Sequence, residues 1–419
     1  MPGIDSAITS MLGARRLLLA GVMWRRCVPR PASRALAPRK RPSLSQEVAI
    51  ETAIEGRRRA GSSDCSSFHR AQASLGWVSP THRYAVEAQA AVSAVRSASR
   101  LAKVLQATLC GSGGVAKADA SPVTLADVAA QAVVLLCLAK AFPNDGFIAE
   151  ESATRLLQTH AGRCAVAAAA DASGMPFDDL VAAVDLGKRA VSHGQRVWTL
   201  DPIDGTKGFL RGEQFCCALA LLDYADGEAT DGAKRTPVVA VLGCPNLGID
   251  CAVDYDPSNA GVATAAVKGL GAWRSSLLDA DSNWAPMAVS SAQPWRRVEG
   301  VASGHSDFAR SAGLAAALGI TEPPVKLDSQ AKAALLAAGS AQLYLRLPPR
   351  GYVEYVWDHA AQALLIEEAG GVFSDERGAT IDFDLGEHLD AAVTGIVASS
   401  SREVHDQAVD HLKAHPARA

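Results

Sequence analysis

No Cys-x-x-Cys pair occurs in the 419 residues, nor any His/Cys cluster at zinc spacing, so the sequence offers no structural zinc site. The nine cysteines are odd in number and scattered, which suits a reducing compartment. Cys216-Cys217 lies in an apolar run and reads as buried structural thiols, with a redox-responsive pair as the alternative. Long hydrophobic runs are also missing. The most apolar window, Val128 to Ala139, contains Gln131 and is too short to span a bilayer, so it reads as a buried helix and no membrane partner is expected. Residues 6–46 contain no Asp or Glu, yet carry Arg15, Arg16, Arg25, Arg26, Arg30, Arg34, Arg39, Lys40 and Arg41. With Ala, Ser and Pro between them, they match an organellar transit peptide, chloroplast or mitochondrial. The alternative is a disordered basic arm on a cytoplasmic protein. A secretory signal fits poorly, because the apolar stretch Leu17 to Trp24 runs into Arg25-Arg26 without a small-residue cleavage pattern.

Positive charge is scarce beyond that segment. Residues 1–80 hold 13 Lys and Arg against 5 acids, leaving 28 basic and 39 acidic residues, net −11, for 81–419. Such an acidic domain argues against a general nucleic-acid binder, and no nucleic-acid partner is expected. An acidic enzyme that handles phosphates would need metal ions to offset the repulsion. At 48% hydrophobic and 20% charged, the chain is globular and long enough for one large or two moderate domains.

Helix signals cover 84–109, where Val92, Val95 and Ala102 share a face, and 124–142, with Thr124 as N-cap. A short strand, 147–149, delivers Glu150. Residues 153–195 read as a peripheral helix plus loop. Strands are predicted at 214–223, 237–243, 246–253, 262–272, 286–290 and 341–347, and helices at 307–318, 330–338 and 358–369, the last ending at Gly370-Gly371. This order implies a layered α/β (α+β) sandwich of two subdomains meeting near residue 285.

The chemistry concentrates in Trp198-Thr-Leu-Asp201-Pro202-Ile203-Asp204-Gly205-Thr206. Two carboxylates stand three residues apart around a turn at the carboxyl end of an apolar strand, where α/β sheets place ligands. Their repulsion is relieved when a hard divalent cation sits between them. An ordinary acidic turn would use the same Asp, Pro and Gly. Asp127, Glu150 and Asp358 likewise lie at element boundaries: Asp127 in the first turn of its helix, Glu150 after a strand, Asp358 opening a helix. Singly, each reads as a capping or surface acid. Jointly, they suit phosphoryl chemistry on two or three metals.

Trp198 to Phe209 (WTLDPIDGTKGF), Trp357-Asp358-His359-Ala360-Ala361 with Glu368-Ala369-Gly370-Gly371, and Ile148-Ala149-Glu150-Glu151-Ser152 resemble the signatures of the inositol monophosphatase-like, magnesium-dependent, lithium-sensitive phosphatases. Within them, Ser121-Pro-Val-Thr124 through Asp127, Lys207 to Phe215, Gly304-His305-Ser306, Leu327-Asp328-Ser329-Gln330-Ala331-Lys332 and Tyr344-Leu-Arg346-Leu-Pro348 resemble the 3′(2′),5′-bisphosphate nucleotidase branch. The likeness spans roughly 84–405. It implies an alternating α-β-α-β-α sandwich of the inositol monophosphatase/fructose-1,6-bisphosphatase type. Residues 1–80 would be presequence and linker, 81–285 a metal-binding subdomain and 286–415 a nucleotide-binding subdomain.

The resemblance also implies site roles. Glu150, Asp201 and the Ile203 carbonyl would hold one Mg²⁺; Asp201, Asp204 and Asp358 a second. A third, weaker ion would lean on Glu150 and Asp127 through water. Asp127 with Thr206 would take the proton of the attacking water, and Gly205 and Thr206 would start a helix facing the phosphate. His305, Ser329, Lys332 and Arg346 would hold a small phosphorylated nucleotide. Ser329 and Lys332 would share a helix face, and Arg346 a strand face with Tyr344. The activity implied is removal of the 3′-phosphate from adenosine 3′,5′-bisphosphate, extending to 3′-phosphoadenylyl sulfate, by a monomer. The alternatives are an inositol polyphosphate 1-phosphatase or inositol monophosphatase, and a non-catalytic phosphonucleotide sensor. Three positions depart from the pattern. Val128 replaces an aromatic. Gln362 replaces a small residue and is expected to crowd the helix near Asp358. Asp382-Phe383-Asp384 is followed by Leu385-Gly386-Glu387, an acidic run expected at the cleft rim.

Overall fold

A computed structural model describes residues 75–110, 122–224, 232–252, 260–279, 281–301, 306–349 and 351–416. The basic segment of residues 6–46, and His305, lie outside the described residues.

Two helices form the first layer: α1 (Ala85–Cys110) and α2 (Pro122–Ala141). α1 turns Val92, Val95 and Ala102 fully inward, as their spacing predicts. α2 is apolar on every side and, by length and composition, could cross a membrane; here it packs between α1, later helices and the sheet. It starts two residues earlier than Thr124, so Asp127 lies in its second turn.

The second layer is a seven-stranded sheet in sequence order: β1 (Gly146–Ala149), β2 (Val197–Asp204), β3 (Cys216–Tyr224), β4 (Arg235–Cys244), β5 (Val262–Val267), β6 (Ala272–Ser276) and β7 (Ala285–Met287). Only β1–β2 is parallel. Between those strands run α3 (Ala153–Leu156), α4 (His160–Ser173) and α5 (Phe177–Val184), three helices where the sequence suggested one. α6 (Thr206–Arg211) follows β2.

The single strand predicted over 262–272 is two strands, because the chain reverses at Gly269 and Gly271 with φ of 80° and 79°. None of the described residues of 246–252 is in a strand. The Asn246 amide donates instead to Gln106 and to the Glu213 carbonyl, and Cys251 takes a left-handed φ of 53°.

The remaining layers come from the second half of the chain. β8 (Arg297–Glu299), β9 (Val325–Lys326), β10 (Leu343–Arg346), β11 (Val372–Asp375) and β12 (Ile396–Ser399) form a five-stranded sheet in the order β11-β12-β10-β8-β9. Between the sheets lie α8 (Ala331–Ala337) and α9 (Ala360–Glu368), both almost wholly buried. Outside the second sheet pack α7 (Phe308–Ala317) and α10 (Arg402–Ala414). The result is the α-β-α-β-α sandwich the resemblance implied.

The acidic run after residue 381 is not at the rim of the cleft described below. Asp382 and Asp384 pair with Lys234 and Arg235 at the start of β4, and Glu387 pairs with Lys188.

Candidate active site

Parallel pairing sets the first contact. Ala149 aligns with Leu200, so Glu150, just past the end of β1, stands beside Asp201, which lies inside β2 because the strand runs on through Asp204 where the sequence suggested a turn. The Glu150 N–H donates to the Leu200 carbonyl at 3.3 Å. β2 is anchored by Trp198, fully buried, whose indole N–H donates to Asp145 at 2.8 Å. Full burial of such a ring stabilises by roughly 2–3 kcal/mol. The ladder then shifts register between Asp201 and Asp204, re-aiming the second carboxylate.

One turn beyond Asp127, the Gln131 amide donates to the Glu151 and Val184 carbonyls and accepts from the Glu151 N–H. That clamp brings Asp127 to the end of β1. Asp358 arrives on a 3₁₀ turn, Val356–Asp358, packed against β2 and β3.

Oxygens of Asp201, Asp204 and Asp358 lie within 4.8 Å of one another, as do those of Asp127, Glu150 and Glu151. Glu150 lies beside Asp201 in the same cleft and so joins the two groups. At an effective dielectric of ~20, two unit charges 4.8 Å apart repel by about 3.5 kcal/mol. Three such pairs would reach roughly 10 kcal/mol, comparable to a whole domain's stability.

The acids respond accordingly. Burial first, then neighbouring carboxylates, push Asp127 and Asp201 well above the usual carboxylate range and Glu150 up to about 8. Burial lifts Asp358 to about 6, although Arg346 and His359 oppose it. Asp127 Oδ1 and Asp201 Oδ1 are buried without a hydrogen-bond partner among the described residues. Converging, unpartnered oxygens of this kind fit hard divalent cations.

A cleft of about 270 Å³ opens on this cluster. It is lined by Glu150, Asp201, Ile203, Asp204, Gly205, Thr206, Ser329, Lys332, Arg346 and Asp358, all predicted from sequence, and by Tyr344. Asp127 sits with Glu150 and Glu151 rather than in the lining.

Gly205 has φ 87°, and a Cβ there would lie 2.9 Å from that of Ser329, so glycine is required. Ser329 is not on a helix with Lys332. It precedes α8 in a left-handed conformation (φ 74°). The two still meet, because Lys332 Nζ donates to the Ser329 carbonyl at 2.7 Å. Lys332 is 8% exposed, and burial lowers its pKa, so it is no solvated surface charge. Arg346 and Tyr344 share the cleft as the strand spacing predicts, with Arg346 held by Glu354 and Asp358.

Sequence reasoning assigned no role to Glu151, Gln330 or Gln362. The Gln330 N–H donates to the Asp204 carboxylate and its amide to the Trp357 carbonyl, tying two ligand-bearing segments together. Gln362 does not crowd α9: it is 1% exposed and bonded to the Asp358 carbonyl. The doubled Glu150-Glu151 was a visible signal. Gln330 gave none and Gln362 showed only as a departure from the pattern, since their partners come from other elements or from the backbone.

Comparison with known proteins agrees with this geometry. The model of the inositol monophosphatase family matches residues 77–417. A 3′(2′),5′-bisphosphate nucleotidase of Emericella nidulans is 38% identical, over 72% of this chain and 90% of its own. One of Schizosaccharomyces pombe is 37% identical over 72% and 88%, and one of Oryza sativa 36% over 76% and 91%. CysQ from Bacteroides thetaiotaomicron, a bacterial member of the inositol monophosphatase family, shares the fold at 17% identity, with a TM-score of 0.50 over 76% of this chain and 99% of its own. With its sandwich, its clustered acids and these relatives, the chain belongs to the inositol monophosphatase family.

Proposed function

We propose that this chain is a magnesium-dependent phosphomonoesterase that removes the 3′-phosphate from adenosine 3′,5′-bisphosphate, leaving AMP and phosphate. The observation that carries the reading is a cleft lined by the carboxylates of Glu150, Asp201, Asp204, Asp328 and Asp358 and by two cations, the buried Lys332 and the part-buried Arg346. Carboxylates alone would repel a phosphate, so the acidic end needs divalent ions, while the basic end suits a second phosphate on the same substrate. The names of the three nucleotidase relatives support the nucleotide over an inositol.

Two or three Mg²⁺ would be held by these residues. Glu150, Asp201 and the Ile203 carbonyl would take one; Asp201, Asp204 and Asp358 a second; Asp127, Glu150 and Glu151 a third. Bound there, magnesium would acidify the attacking water and neutralise charge on the phosphoryl oxygens. Asp127, beside Glu150 and Glu151 at the end of β1, would take the water's proton, with the Thr206 hydroxyl orienting that water by a hydrogen bond. Gly205 and Thr206 line the cleft at the start of α6, whose first N–H groups have no intrahelical acceptor and serve phosphoryl oxygens. Ser329, Lys332 and Arg346 orient the 5′-phosphate. His305, which the resemblance adds to the nucleotide contacts, lies outside the described residues.

The test is phosphate release from adenosine 3′,5′-bisphosphate, 3′-phosphoadenylyl sulfate, inositol 1-phosphate and inositol 1,4-bisphosphate, with and without Mg²⁺ and Li⁺. Release from the nucleotides in Mg²⁺ alone, inhibited by millimolar Li⁺, is expected. A strong preference for inositols would reverse the substrate assignment. Nucleotide binding without release in Mg²⁺ would make the protein a sensor.

A further inference from the structure

Gln362 lies in the first turn of α9, one turn beyond Asp358, and is 1% exposed. Its amide Nε2 is 2.7 Å from the Asp358 carbonyl and 3.0 Å from His359 Nδ1. The opposite amide orientation would set oxygen against oxygen at Asp358, so the nitrogen faces both groups. A donor at Nδ1 leaves the imidazole proton on Nε2, which lies 2.9 Å from Glu354 Oε2 and donates to it. Glu354 is 1% exposed, and its Oε1 accepts from Arg346 Nε at 2.8 Å. Arg346 Nη2 donates to Asp358 Oδ2 at 3.0 Å.

The bonds close a ring. It leaves Asp358 at its carbonyl, passes through Gln362, His359, Glu354 and Arg346, and returns to the same residue at its carboxylate. Asp358 is therefore fixed at both ends. His359, Glu354 and Gln362 are all at most 1% exposed, so water competes little for these bonds. Removing one link leaves buried donors or acceptors unmet and frees the carboxylate to turn.

We infer that Gln362 is a positioning residue that sets the affinity of the acidic cluster for its divalent ion by fixing Asp358 through this ring. The inference rests on the proposed function only in taking Asp358 as a metal ligand. Residues that orient a ligand in this way typically change metal affinity by about 10–100-fold when replaced.

Gln362→Met keeps the volume and removes the donor. Mg²⁺ alone is titrated into the full chain by calorimetry, and half-saturating Mg²⁺ and the metal-free melting temperature are measured alongside. Expected is a roughly tenfold larger Mg²⁺ dissociation constant and a matching rise in half-saturating Mg²⁺. A merely structural role would lower the metal-free melting temperature and leave the Mg²⁺ dissociation constant of the folded protein unchanged. Equal Mg²⁺ affinity in parent and Gln362→Met overturns the inference, even if activity falls. Should Gln362→Met fail to fold, Glu354→Gln breaks the ring at its far side. The same loss there upholds the inference, and parent-like affinity overturns it. Because the titration contains no nucleotide, its outcome does not depend on which phosphate ester the protein hydrolyses.

Discussion

Asp201→Asn sets folding stability against catalysis. Asp201 is 3% exposed, its Oδ1 has no partner among the described residues, and it stands within 4.8 Å of the oxygens of Asp204 and Asp358. Each repulsion is worth about 3.5 kcal/mol at that separation and an effective dielectric of ~20. Protonation already relieves part of it, since burial and Glu150 push the Asp201 pKa well up. The metal-free folded state thus holds protons that the unfolded chain has released. Its stability falls as pH rises above the ordinary carboxylate range, because the folded chain holds that proton to higher pH than the unfolded chain does. Asn cannot ionise, so the variant escapes that loss. Without metal at pH 8 it should gain about 2–4 kcal/mol, on the order of 5 °C in melting temperature, and less at pH 6. In Mg²⁺ the order reverses, because the parent gains ligand binding that the variant lacks. Turnover should drop by roughly 10³-fold or more. Differential scanning calorimetry at two pH values, with and without Mg²⁺, beside a phosphate-release assay, measures all of this. A variant less stable than the parent without metal at pH 8, with near-parent turnover, would refute the reasoning.

Mg²⁺ must displace protons from Asp358, at about 6, and Glu150, at about 8, so calorimetric Mg²⁺ affinity should rise steadily from pH 6 to pH 8 with proton release; a flat profile would contradict the shifts. His405 lies between Ser374 and Ser399, at 2.8 and 3.2 Å, and burial drops its pKa to about 4. Its contribution is present above the unfolded pKa near 6.5 and is lost as pH falls from there toward 4, so the melting temperature of His405→Gln should depend less on pH over that window than the parent's. Lys332→Met should raise KM for adenosine 3′,5′-bisphosphate about 10–100-fold and leave adenosine 3′-phosphate nearly unchanged, since a charged hydrogen bond to the 5′-phosphate is lost; equal effects on both would remove Lys332 from that role. Residues 1–80 fused to a fluorescent reporter should direct it to a chloroplast or mitochondrion, and a diffuse signal would instead support the basic-arm reading.

What could be read in advance follows the range of the interactions. Asp201, Asp204, Gly205 and Thr206 were legible because strand, Pro and Gly occupy one contiguous stretch. α1 and α2 were legible because their apolar faces are long. β8 and β9, at three and two residues, are too short to carry a period, and their pairing with β10 is wholly tertiary. The reversal at Gly269-Leu270-Gly271 was hidden because β-forming residues flank it on both sides. Ser329 has a helix-like context, but the close approach of Gly205 holds it out of α8. Gln362 could be seen as unusual but not as useful. Its value depends on Glu354 and Arg346, which are hydrogen-bonded only once β10 and the 3₁₀ turn are in place.

The central claim is that separate acids form one site for divalent cations. Diffraction from crystals soaked in Mn²⁺, collected at the manganese edge, tests it most directly. Two or three anomalous peaks should appear, bridged by Asp201 and touching Glu150, Asp204 and Asp358. Crystals that bind Mn²⁺ elsewhere, with no peak within coordination distance of Asp201, would contradict the account.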